Sequence, residues 1–189
     1  MDEIVPLSRL ERLRGYAAYA HADSRTFGKI HLTDRENLAR RLAAAERSGW
    51  NAPGTGSVRG LVTHETAHAI FHQLDLADAG GPVKQWKIFL AGQNTSRAAR
   101  DRALDAAVTQ AKRDGIGVLR SNPEPGLARY VSGYARDSWS REELEAEMFS
   151  IYHWGTNPPE FVKVWGRTLH RDLGFNPRPF REVVARRGR

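Results

Sequence analysis

Apolar positions along this chain recur mostly at helical spacing. Leu38, Leu42 and Ala45 repeat every three or four residues up to the stop at Ser48-Gly49, which predicts a surface helix capped by Thr33 or Asp34. Trp50 to Gly56 is rich in helix breakers, and Ser57 can cap a second helix running through Val58, Leu61, Val62, Ala69, Ile70 and Leu74. That helix is apolar enough to be central. Beyond Gly80-Gly81-Pro82 the spacing predicts one or two amphipathic helices between Val83 and Arg113, then a turn from Asn122 to Gly126. A helix from about Ser140 to His153 follows, and Pro158-Pro159 introduces another that runs to about Leu173. Near the start, residues 7–14 read as a short helix. Gly15 to His21 and Phe27 to Leu32 break the helical pattern around a polar Asp23-Ser24-Arg25-Thr26 turn and predict a β-hairpin. The expected class is α+β: mostly helical, with a small N-terminal hairpin or sheet and a central helix. It is expected as one domain over residues 1–175 with a basic tail over 176–189.

Composition narrows the function. Of 189 residues, 40% are hydrophobic and 27% charged, which excludes collagen-like, low-complexity and wholly disordered chains. No apolar run approaches the roughly 18 residues that cross a bilayer, and Met1 to Pro6 lacks the basic-then-apolar order of a secretory signal. Neither a membrane partner nor a targeting segment is expected. The absence of cysteine removes thiol nucleophiles, disulfides and Cys-ligated metal sites, so any metal must sit on His and carboxylates. The net charge of +7 is spread along the chain except at the end, where Arg178, Arg181, Arg186, Arg187 and Arg189 form a loose tail. No nucleic-acid motif accompanies it, so nucleic acid is not an expected partner.

The central helix contains His64-Glu65-Thr66-Ala67-His68, a His-Glu-x-x-His motif. Residues four apart stack on one helical face, so both imidazoles can reach one ion at a Zn–N distance near ~2.1 Å. Glu65 is rotated off that line, where its carboxylate can meet a water at the metal and act as general base. With 7 His and 12 Glu in the chain, the pattern arises by chance roughly one or two times in a hundred. An apolar helix is also an expensive place for two imidazoles and a carboxylate without a partner. His72 lies another turn on, about 12 Å from His64 along the axis, too far to share the ion. A third protein ligand must therefore be a carboxylate from elsewhere. Ser140 to Phe149 supplies four glutamates on a helix, of which Glu143 and Glu147 share a side with the small Ala146. On that side Glu143 would meet the metal, and Glu147 could accept the outer N–H of a ligating His.

At this point the chain resembles a family. His64 to His68, preceded by Pro53-Gly54-Thr55-Gly56-Ser57 and followed by Ser132-Gly133-Tyr134-Ala135 and Glu143-Leu144-Glu145-Ala146-Glu147, looks like the gluzincin-type zinc metallopeptidase domains. It is closest to those attached to head-morphogenesis proteins of tailed bacteriophages, and the likeness covers roughly residues 15–153. It implies a zincin-like fold, Zn2+ held by His64, His68 and Glu143, Glu65 as base, and Tyr134 as a donor to the oxyanion. It further implies that the strand Phe27 to Leu32 is a sheet edge beside the cleft that can take an extended peptide. Two positions depart from the pattern. Ala67 stands where Gly is usual, and Tyr134 precedes Glu143 by nine residues rather than about seven, which leaves Glu142 as a rival ligand and Tyr130 as a rival donor.

The leading expectation is a zinc-dependent metallopeptidase of phage or prophage origin, with a polypeptide substrate and phage structural proteins as partners, located in the host cytoplasm or on the virion. The alternative is a catalytically silent, zinc-stapled assembly module. A structural site closes its fourth position, whereas these three ligands leave one open. A basic DNA-binding module rests on the charge alone.

Overall fold

A computed structural model describes residues 3–6, 18–20, 29–32, 37–78, 95–119, 122–138, 140–175 and Pro179. The expected helix over 7–14, the polar turn at 23–26, the start of the Val83–Arg113 segment and, apart from Pro179, the basic tail over 176–189 lie outside the described residues. The helices are α1 Leu38–Arg47, α2 Val58–Asp78, α3 Thr95–Arg113, α4 Glu124–Ala128, α5 Gly133–Ser138, α6 Arg141–Trp154 and α7 Glu160–Asp172.

The α+β expectation is corrected. About 70% of the described chain is helix, and the apolar core is built by helices together with Ala52 of the α1–α2 loop and Val131 of the turn between α4 and α5. The strand segments β1 Glu3–Pro6, β2 Ala18–Ala20 and β3 Lys29–Leu32 are three or four residues each. β2 and β3 lie against α2, and Ile30 of β3 is fully buried there, but no described strand residue joins the main core cluster, which α+β architecture would build between sheet and helices. The class is mostly helical, and the N-terminal hairpin is not retained as an organising element. The peptide-binding edge changes with it. β3 lies between the other two segments, parallel to β1 and antiparallel to β2, so both of its sides are paired.

Two helix pairings make the core. α3 lies along α7, with Ala103, Ala107 and Ala111 of α3 fully buried at four-residue spacing and Phe161, Trp165 and Leu169 of α7 fully buried at the same spacing. Small residues on one helix against large ones on the other interdigitate without voids. α2 lies against α6, which is buried from Leu144 through His153. Gly166 of α7 sits where a Cβ would collide with the Tyr152 ring, so α6 and α7 meet at a position that only glycine permits. Glu124–Ala128 is a helical turn where a simple turn was expected. Proline is tolerated in the first helical turn, and burying Leu127 and Ala128 favours the helix.

A charged network sets the rotation of α6. Glu145, fully buried, accepts from Arg100 Nε at 2.7 Å and from Arg141 Nε at 3.0 Å. Arg141 also pairs with Asp101 at 2.6 Å, and the Arg100 guanidinium lies 4.7 Å from the Phe71 ring centre. Glu145 faces α3, so Glu143 and Glu147, two residues to either side, turn toward α2. Replacing Glu145 with Ala takes a buried carboxylate away from the buried Arg100 and leaves Arg141 its pair with Asp101 alone. We expect urea unfolding of Glu145→Ala to show a loss of about 3–5 kcal/mol, the cost of breaking a buried pair by removing one partner.

Candidate metal centre

Ser57 Oγ accepts from the Gly60 N–H at 3.1 Å and starts α2. From there α2 and α6 are stitched along one seam. Ser150 Oγ donates to the Gly60 carbonyl at 2.9 Å, and Trp154 Nε1 donates to Thr63 Oγ1 at 2.8 Å. Glu147 Oε1 lies 2.9 Å from His64 Nδ1, and Glu143 Oε2 lies 3.0 Å from His64 Nε2. Residues 143, 147, 150 and 154 are three or four apart, so one stripe of α6 faces α2 over nearly its whole length.

His64 Nε2, His68 Nε2 and Glu143 Oε2 form a near-equilateral triangle with sides of 3.0, 3.2 and 3.3 Å. Tetrahedral coordination at about 2.05 Å places its ligand atoms about 3.3 Å apart, so the triangle matches one face of such a shell. The chemistry of the donors agrees. If His64 carries its proton on Nδ1, toward Glu147, its Nε2 offers a lone pair. That lone pair, the carboxylate oxygen and His68 Nε2 then converge on one point, an arrangement that favours a cation there. The Glu147 contact is short but lies off the N–H line, and neither His64 Nδ1 nor Glu147 Oε2 has a fully aligned partner. Two imidazoles and a carboxylate suit zinc and also other divalent transition metals.

The electrostatics point the same way. Burial pushes the His64 imidazolium down, but Glu143 and Glu147, with Glu65 nearby, hold it up to about 10. Burial would raise the Glu143 carboxyl, yet His64 and His68 hold it well below the usual carboxylate range. Burial, reinforced by Glu143, pushes the Tyr134 phenol well above its ordinary value, so it stays protonated and able to donate. Glu147→Gln removes a negative acceptor beside His64 while keeping the shape. It should weaken metal affinity about 10- to 100-fold without unfolding the chain, as read by competitive chelator titration and circular dichroism.

Tyr134 is brought in by a loop. Near the end of α1, Glu46 accepts from the Gly54 N–H at 2.8 Å with one carboxylate oxygen and from the Gly56 N–H at 2.7 Å with the other. The loop then takes hold of α5: Gly133 N–H donates to the Gly49 carbonyl at 2.9 Å and Tyr134 N–H to the Trp50 carbonyl at 3.0 Å. The Tyr134 ring centre ends 5.7 Å from that of His64, close enough for the Glu143 charge to help raise its phenol. Tyr130, the rival donor, is 53% exposed. Glu142, the rival ligand, is exposed and accepts from Ser140 Oγ at 2.8 Å, away from the histidine pair. The His72 side chain lies outside the described residues.

Glu65 is buried and, with His64, Tyr134 and Glu147, faces a cavity of about 390 Å3. His68 and Glu143 are not on its wall, so the cavity reaches the centre from the Glu65–Tyr134 side. Sequence reasoning missed three contributors. Ser150 and Trp154 continue the Glu143–Glu147 stripe and could have been found by extending that spacing. Nothing local marked Glu46 as the clamp on the loop.

Among known proteins, the chain is 26% identical over 129 residues to a UPF0301 protein of Myxococcus xanthus (strain DK1622). The match covers 65% of this chain, and the chain spans about 65% of that relative's length. Its name states no activity. No family model matches the chain, and no solved structure does. No helix among the described residues is long and apolar enough to cross a membrane.

Proposed function

We propose that the chain is a zinc-dependent metallopeptidase. The observation that carries this reading is the triangle of His64 Nε2, His68 Nε2 and Glu143 Oε2, with sides of 3.0–3.3 Å, beside a cavity that Glu65 and Tyr134 also face. When bound, zinc supplies Lewis acidity, polarising a carbonyl and lowering the pKa of a coordinated water. Glu65 takes the proton of the attacking water as its oxygen bonds to the peptide carbon, and the carbonyl electron pair moves onto oxygen. Tyr134 donates its O–H to that oxygen and stabilises the charge that develops there. Glu65 then returns the proton to the nitrogen as the C–N bond breaks. A purely structural zinc staple is the weaker alternative, because a cavity with a buried carboxylate on its wall beside the centre serves no purpose in a closed site. Phage or prophage origin rests on the order of motifs alone.

The deciding experiment is metal analysis of protein purified without added zinc, with His64→Ala as control, followed by digestion of a fluorogenic peptide library. One zinc per wild-type chain, none in the variant, and chelator-sensitive cleavage are the expected results. A zinc-replete wild-type chain that carries no metal would refute the reading. Within it, Tyr134→Phe should keep zinc and thermal stability but lower kcat roughly 10- to 10³-fold, whereas Tyr130→Phe should change little in the same assay.

A further inference from the structure

The cavity beside the centre has a chemistry that the metal-facing groups do not explain. Its far wall is α1, where Leu38, Leu42 and Ala45 stand at i, i+4 and i+7 and form one apolar stripe. Leu61 and Trp50 also line the space. Trp50 is 43% exposed, a large ring left uncovered although Trp165 in the core is fully buried. Arg41 lies on the same wall, exposed, and its guanidinium has no partner among the described residues. The acid one turn away on α1, Glu46, is occupied by the Gly54 and Gly56 amides. The cavity therefore combines an apolar chamber, one free cation at its wall and, at the metal end, the acids Glu65 and Glu147. Those acids would repel a polyanion such as nucleic acid, whereas a ligand with one apolar group and one carboxylate meets complementary surface at each place.

We propose that this cavity is a side-chain subsite that takes one bulky apolar residue of a polypeptide, with Arg41 binding a carboxylate on the same ligand. The carboxylate comes from an acidic side chain next to the apolar residue or from the C-terminus of the peptide. This inference rests on reading the centre as one that acts on polypeptide. The volume of about 390 Å3 falls within the range of about 300–1,000 Å3 typical of ligand pockets. Arginine fits the second half of the ligand because its planar fork binds a carboxylate bidentately.

The test is calorimetric titration of the full chain, zinc-loaded and after chelation, with blocked hexapeptides differing only by Leu against Ala, Glu against Gln at the next position, or free acid against amide at the end. The Leu peptide should bind at least about tenfold more tightly than its Ala counterpart. One of the two carboxylate arms should show a similar difference, and which one it is names the source. Arg41→Gln should abolish the carboxylate difference alone. Ala45→Phe, or the smaller Ala45→Leu should the first fail to fold, should abolish the apolar difference alone, with zinc content unchanged in both variants. Binding that is absent, or equal across all peptides, or discrimination that survives in the variants, overturns the proposal. Failure of the peptidase reading looks different: no zinc, or no cleavage, with both discriminations intact.

Discussion

Glu65→Ala is expected to retain one zinc per chain and a native circular dichroism spectrum while peptide hydrolysis falls by about 10²- to 10⁴-fold, the usual contribution of a positioned general base. The size of the effect follows from where Glu65 stands. It is one residue on from His64, so the helix turns its carboxylate off the ligand line, and it faces the cavity rather than joining the triangle of donor atoms. Losing it leaves the three donors in place and removes only the group that accepts the proton of the attacking water. Gln at this position is the sharper variant, since it keeps volume and polarity but cannot take a proton. If Glu65→Ala came out metal-free, Glu65 would be a ligand and the division of roles within the motif would be wrong.

The second large effect is on the metal itself. Glu143→Ala removes the one anionic donor of the triangle and leaves His64 and His68 with a two-point grip. Zinc affinity should fall by more than the about 10- to 100-fold expected from losing an outer partner such as Glu147, enough to empty the site at micromolar zinc. The pH dependence has a definite sign. In the metal-free chain His64 holds a proton up to about 10, and zinc must displace that proton from Nε2. Affinity therefore rises with pH toward that value, about tenfold per unit for one proton released, and occupancy falls in mild acid. Glu143, held well below the usual carboxylate range, stays ionised throughout and does not set the limit. Chelator titrations of wild type and Glu143→Ala between mildly acidic and mildly alkaline pH measure both effects. Equal affinity in the two proteins would exclude Glu143 from the centre.

The two expectations separate groups that lie on neighbouring helical positions, and the fold explains why the separation is clean. α6 meets α2 along a single stripe, so its glutamates are sorted by rotation. Glu143 and Glu147 turn toward the histidines, Glu145 toward Arg100 and Arg141, and Glu142 outward to Ser140. A change at one of them tests one function.

What the chain determined by itself is what helical geometry settles within a dozen residues. His64 and His68 share a face because they are four apart on a continuous apolar helix, Glu65 leaves that face because it is one residue on, and Glu143 and Glu147 share theirs for the same reason. Ser57 as the cap of α2 was legible for an equally local reason, since a hydroxyl there can reach the N–H three residues on. Whether the two faces meet was not legible, because the contacts that join them cross 90 residues, as from Ser150 to Gly60. Only that packing brings Glu143 and Tyr134 beside His64 and leaves Glu142 and Tyr130 exposed. It also made the apolar face of the surface helix α1 the wall of a cavity, and it placed the core in helix pairs rather than against an N-terminal sheet. Local periodicity states which side chains travel together. Which partner they reach depends on how remote apolar surfaces fit one another, and at Gly166, against the Tyr152 ring, the fit is decided by the absence of a single Cβ.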